Sequence, residues 1–139
     1  MLLEGLIAIL IFSMGILALM AMLGTSLKTS GDAKYRADAS HLANQIIGSM
    51  WADRANLATY AHYATAGATA CTPAGAASIN ANVISWLADV QSFLPGAASN
   101  RLQIAIGANN VVTVTICWQG PQESSPHNFV ATAQINGNS

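Results

Sequence analysis

MLLEGLIAILIFSMGILALMAMLGTSL, residues 1–27, is apolar or small throughout except for Glu4. From Leu6 to Leu23 there is no charge and no proline, and Ser13 carries the one hydroxyl. At about 1.5 Å rise per residue this stretch approaches the ~30 Å hydrocarbon thickness of a bilayer, so it is expected to form a transmembrane helix. A carboxylate on the fringe of that helix needs an explanation. On insertion scales such a group costs roughly 2.5–3.5 kcal/mol at the bilayer centre and less toward the interface. The next charge is Lys28, so no cation nearby in sequence compensates Glu4. Either Glu4 meets water at the headgroups, or it meets a positive group such as an N-terminal amine.

A secretory signal would begin with a basic region and end at a small-residue cleavage site. No Lys or Arg precedes the apolar run here, and the run continues into KTSGDAKYRADASHLANQIIGSMW with a helical pattern. The segment is therefore read as retained in the mature protein. The chain has 139 residues, which leaves one domain beyond the anchor. Only 8% of residues are charged and the net charge is −1, which argues against a broad electrostatic surface for nucleic acid or anionic lipid. Lys28, Lys34 and Arg36 just after the span would by the positive-inside rule stay cytoplasmic. The two cysteines, Cys71 and Cys117, argue the opposite. They show no CxxC spacing and lie far apart, which suits a structural disulfide in an oxidising compartment, the alternative being two unrelated buried thiols. A basic leader once present before Met1 and then removed would resolve the conflict.

The helical pattern predicts one helix from near Leu2 to about Asn56, some 80 Å long at about 1.5 Å per residue. Its apolar stripe is read as Ala33, Ala37, Leu42, Ile46, Ile47, Met50, Arg54 and Leu57. ATYAHYATAGATACTPAGAAS reads as a loop. Ser78 is the expected N-cap of a second helix with Ile79, Val83, Trp86, Leu87, Val90 and Leu94 on its apolar face, ended by Pro95-Gly96. The period then changes to two. Leu102, Ile104 and Ile106 alternate, as do Val112, Val114, Ile116 and Trp118, with a turn over Gly107–Asn110, and NFVATAQI supplies a third strand. The fold class is α+β: a long N-terminal hydrophobic helix packed on a small antiparallel sheet head with one extra short helix. Residues 1–27 form the transmembrane half of the helix, and 28–139 form the globular head.

Leu3-Glu4 followed by a long apolar helix that runs into a small α+β head resembles the class III N-terminus of type IV pilins and pseudopilins. LLEGLIAILIFSMGILAL, then AKYRADASHLANQIIGSMWAD around Tyr35, Arg36, Ala43 and Met50, is similar to PilV-type minor pilins, the pilus modification proteins, as is the closing VTVTICW. The resemblance covers about the first 55 residues well and the rest loosely. It implies a minor pilin that inserts in the inner membrane with its head in the periplasm. From there it joins a type IV pilus, in a priming complex near the tip. Implied partners are other minor and major pilins, and prepilin peptidase for the precursor; no nucleic acid is expected. In that family the carboxylate corresponding to Glu4 is linked to leader processing and N-methylation, and pairs with a neighbouring subunit's N-terminal amine. The family has four residues before this glutamate, whereas Met1, Leu2 and Leu3 precede it here. A mature first residue and a basic leader ending in Gly are therefore expected upstream. Gly15 is the expected point of local unwinding in a filament, or else a point of close helix packing. The proline that major pilins carry in this helix is absent, which favours a minor component. The alternatives are a type II secretion pseudopilin and a pilus-associated adhesion or DNA-uptake module.

No catalytic pattern competes. His41, His62 and His127 are scattered with no HExxH, and there is no GxSxG, P-loop or GxGxxG. The acids never pair closely in sequence. Neither an enzyme nor a cofactor is expected. Lys34, Arg36, Asp38 and Arg54 read as a solvated face of the long helix, and Trp51, Trp86 and Trp118 as core anchors.

Overall fold

A computed structural model describes residues 1–136, and in it helix α1 runs unbroken over Leu2–Ala52. No proline interrupts it, and each interior glycine costs only about 1 kcal/mol relative to Ala, too little to break a helix of this length. The chain divides into two compact units, Met1–Lys34 and Tyr35–Ser139. In the first unit every side chain through Ser30 is exposed, because a lone helix has nothing to bury itself against. This helix is long and apolar enough to cross a membrane. The hydroxyls of Ser13, Thr25 and Thr29 donate back to the carbonyls of Ile9, Ala21 and Thr25 at 2.7, 3.2 and 3.0 Å. Their protons are thus paired inside the helix and demand nothing from an apolar surrounding.

In the second unit the rest of α1 buries Ala39, Leu42, Ala43, Ile46 and Met50 along one stripe. The expected stripe is corrected at its start and edges: Ala33, Ala37 and Arg54 are exposed and Ile47 is only half-buried. Alanines occur on every side of this helix, so their spacing does not mark a face. Trp51 is also corrected, since it is 42% exposed and not a core anchor. α1 stops at Ala52 without glycine or proline. Instead Asn56 donates to Asp53 Oδ1 at 2.7 Å and the Tyr60 hydroxyl to Asp53 Oδ2 at 3.3 Å. These side-chain bonds offer the backbone an alternative to the α-helix, and a 3₁₀ segment, Arg54–Tyr60, follows and buries Leu57 and Tyr60.

Helix α2 spans Ala81–Phe93 and buries Val83, Trp86, Leu87 and Val90. Its N-cap is Asn80, whose Oδ1 accepts from the Asn82 N–H at 2.9 Å. This corrects Ser78 as the cap and Ile79 as part of the stripe, Ile79 being 92% exposed. Ser78 instead donates to the Thr59 carbonyl at 2.8 Å and accepts from the Asn80 N–H at 3.2 Å, so it orients the approach to the helix. The Trp86 indole N–H donates to Leu42 O at 2.8 Å and ties α2 to α1. After α2 the chain turns through Gly96 at φ +64°, where an added Cβ would lie 2.8 Å from the Gln119 carbonyl oxygen. Only glycine fits there.

The sheet has strand order β1-β2-β3 and is antiparallel throughout, with β1 over Gln103–Ile106, β2 over Val111–Trp118 and β3 over His127–Gln134. Ile104 pairs with Val114, and Val114 with Ala131. The β1–β2 turn holds Asn109 and Asn110 at φ +55° and +54°, the left-handed region that Asn tolerates better than most residues. Ile104, Val112, Val114, Ile116, Trp118 and Ile135 face the core that α1 and α2 complete. The architecture is α+β as expected.

Candidate functional site

Glu4 lies in the first turn of α1 and is exposed, with Leu2, Leu3, Leu6, Ile7 and Ile9 exposed around it. A carboxylate in a first helical turn faces the unpaired N–H groups and the positive end of the helix dipole, an interaction of about 0.3–1 kcal/mol when exposed. Within the described residues no cation pairs with it. Gly5 and Gly15 on the same helix would each accept a Cβ without meeting any neighbour, so packing within this chain does not call for their small size. Gly15 sits within unbroken α-helix.

Cys71 and Cys117 are bonded to each other, with Cα atoms 5.7 Å apart, and both are buried. The bond anchors the loop before α2 to the far end of β2. It closes a sequence separation of 46 residues, for which the chain-entropy relation gives about 4 kcal/mol.

The three histidines do not converge, and each has its own surroundings. His127 stacks on Trp118 at 5.9 Å, and its Nε2 lies 3.0 Å from Glu123 Oε1. Arg36 sits 6.0 Å from the Trp118 ring centroid, so this residue of the expected solvated face also takes part in a cation–π contact. Trp86 and Trp118 are buried as expected, although Trp118 Nε1 finds no hydrogen-bond partner among the described residues. Asp38 departs further from a solvated face. It lines a cleft of about 250 Å³ with His41, Leu42, Gln45, Asp89 and Phe93, and its Oδ2 is buried with no partner among the described residues. Gln45 reaches Asp89 Oδ2 across this cleft at 3.4 Å. Sequence spacing carried no sign of the cleft, because Asp38 and Asp89 are brought together only by α1–α2 packing.

His62 is the polar residue that sequence reasoning passed over. It is fully buried. Its backbone exchanges both hydrogen bonds with Ile104, at 3.0 and 2.9 Å. The Ser78 N–H donates to Nδ1 at 3.0 Å, so Nδ1 is the unprotonated nitrogen, and Nε2–H donates to Ser99 O at 3.0 Å. One ring thereby joins the loop after α1, the approach to α2 and the approach to β1. Burial pushes its pKa below the usual 6.5, against a smaller upward pull from the Ser99 carbonyl.

Comparison with family models, with curated proteins and with solved structures returned no match.

Proposed function

We propose that this protein is a minor pilin, a structural subunit of a type IV pilus that takes part in pilus assembly and priming near the tip. The observation that carries the reading is Glu4, the one charge in the apolar, exposed first 27 residues, which lead into a disulfide-bonded α+β head. Such a helix needs an apolar surrounding twice: first the inner membrane, then the helical core of a filament. In either place a lone carboxylate is penalised, and an ion pair with the N-terminal amine of a neighbouring subunit offsets the penalty and sets the register. Exposed Gly5 and Gly15 suit close approach of a second helix. The disulfide suits a head held in the periplasm and then outside the cell. Processing of the precursor falls to prepilin peptidase on this reading.

The test is incorporation. Glu4→Ala is expected to leave the head folded and membrane insertion intact while the protein disappears from sheared pili. Glu4→Gln, which keeps the shape and removes the charge, is expected to do the same. Wild-type amounts of both variants in the sheared fraction would overturn the reading.

A further inference from the structure

Of the five basic side chains in the sequence, Lys28, Lys34, Arg36 and Arg54 are exposed, and Arg101 alone is half-buried. Arg101 ends a 3₁₀ turn, Ser99–Arg101, just before β1, and its backbone N–H donates to Ala98 O at 2.8 Å. Its guanidinium donates to Gln119 Oε1 at 3.2 Å. The Gln119 amide is turned that way because its Nε2 donates to the Glu123 carbonyl at 2.8 Å. A guanidinium carries five N–H donors. Among the described residues the others meet no acceptor, and no Asp or Glu carboxylate pairs with the charge. A cation drawn partly out of water is ordinarily answered by an anion. Here the head answers it with one neutral amide.

Arg101 lines a pocket of about 490 Å³, a volume in the range of small-ligand clefts. Thr69, Cys71, Thr72, Pro126 and Asn128 stand around it, and among the described residues neither an acidic residue nor an aromatic ring does. The wall is braced before any ligand arrives. Cys71 is bonded to Cys117 of β2. The Thr72 N–H closes a turn onto Thr69 O at 3.2 Å, and the two threonine hydroxyls lie 2.9 Å apart. The Asn128 side-chain amide makes no hydrogen bond among the described residues, so a second donor in this wall is unspent.

We propose that this pocket binds the side-chain carboxylate of a glutamate or aspartate in an acidic segment of a partner protein, with Arg101 as its counter-charge and Asn128 as a second donor. A planar guanidinium meets a planar carboxylate through two parallel N–H···O bonds. One cation matches one carboxylate, whereas the second charge of a phosphate would go unanswered. Pro126 and the disulfide give apolar wall for the methylene groups and flanking backbone of a peptide. An acidic sugar finds no ring to stack on. Because the wall is already braced, little of the binding free energy goes into ordering it. The proposal rests on the head alone and stands whether or not the pilin reading does.

The test is a titration of isotope-labelled full-length protein in detergent with the capped tripeptide Ala-Glu-Ala, followed by NMR. Saturable shifts are expected at the Arg101 side-chain Nε–H, at the Thr69 and Thr72 amides and at the Asn128 side-chain amide. The capped tripeptide Ala-Gln-Ala, of the same shape without the charge, should leave them unmoved. Arg101→Gln should weaken binding by about tenfold or more, since a hydrogen bond to a charged group is lost. Arg101→Lys, which keeps the charge without the fork, should fall between. Asn128→Asp sets a carboxylate in the same wall and should block the peptide while Arg101 stays in place. This second variant decides the matter if Arg101→Gln lowers the melting temperature. Glucuronate and inorganic phosphate are the competing probes. The proposal is overturned by absence of saturable shifts with the glutamate peptide, or by an equal response to the glutamine peptide. Tighter binding of glucuronate or phosphate than of the glutamate peptide also overturns it, as does unchanged affinity in both Arg101→Gln and Asn128→Asp.

Discussion

His62 shows how one side chain carries more structure than its sequence neighbourhood announces. Its Nδ1 must accept from the Ser78 N–H and its Nε2–H must donate to Ser99 O, so only one neutral tautomer satisfies the site. Protonation would place a second N–H against the Ser78 donor. The consequence for stability has a definite sign. Above the ordinary histidine pKa of about 6.5 the ring is neutral both folded and unfolded, and pH has no effect through it. As pH falls below that value the unfolded chain takes up a proton that the folded chain resists, because burial holds the folded pKa lower. Stability is therefore lost progressively with acidification until the folded pKa is reached. His62→Asn keeps an acceptor near Nδ1 and cannot be protonated. It is expected to be less stable than wild type at neutral pH, through lost packing and the lost bond to Ser99, but to lose less between pH 7 and pH 5. Urea midpoints of the two proteins in detergent across that range check it, and parallel pH slopes would count against the assignment.

At the scale of elements, the disulfide and the caps do what turns and packing leave undone. The loop from Ala61 to Asn80 contributes few core side chains and is held by His62, by Cys71, and by the pairing of Thr65 with Ala74. Cys71→Ser combined with Cys117→Ser is expected to cost about 2–5 kcal/mol. The loss should fall on the cooperative transition of the whole head, since Cys117 sits in the central strand. Chemical denaturation with tryptophan fluorescence measures it, and a variant within about 0.5 kcal/mol of wild type, the range of an ordinary surface change, would show the bond to be dispensable. Helix α2 illustrates a boundary that local reading misplaced. Both Ser78 and Asn80 are good capping residues, and the choice between them depended on the Thr59 carbonyl, which engages Ser78. Asn80 was then free to cap. The end of α1 at Ala52 came from Asp53, Asn56 and Tyr60 acting together, and none of the three is a helix breaker alone.

For the whole molecule, the two units answer to different surroundings. Met1–Lys34 contains no buried side chain, whereas Tyr35–Ser139 encloses a core that includes Trp86, Trp118, Ile104 and Ile116. A fragment beginning at Lys28 is expected to be soluble, to show mixed helix and strand by circular dichroism, and to unfold cooperatively. The reason is that the part of α1 from Ala39 onward, α2 and the sheet bury one another without the apolar segment. The fragment should also fail to enter membranes. An insoluble or molten fragment, beside a well-folded full-length protein in detergent, would show that the head depends on the anchor.

The apolar run, its length and its lone carboxylate were legible directly, because hydrophobicity and rise per residue need no tertiary partner to be read. The alternation in RLQIAIG, VVTVTICW and NFVATAQI was equally plain, since a strand with one face on a core must repeat every two residues, and the three strands and their antiparallel pairing follow it. The cysteine pair left little choice of partner. Which side of α1 faces the core was decided only by packing, because alanines line several sides and a methyl group marks none of them. Trp51 shows the same ambiguity at larger size: an aromatic residue on a helix is core only if another element covers it, and Trp51 stays 42% exposed. The knot at His62 and the cleft at Asp38 are relations between distant segments. They exist through the approach of α1 to α2 and of the loop to β1, and no local pattern in the chain encodes those approaches.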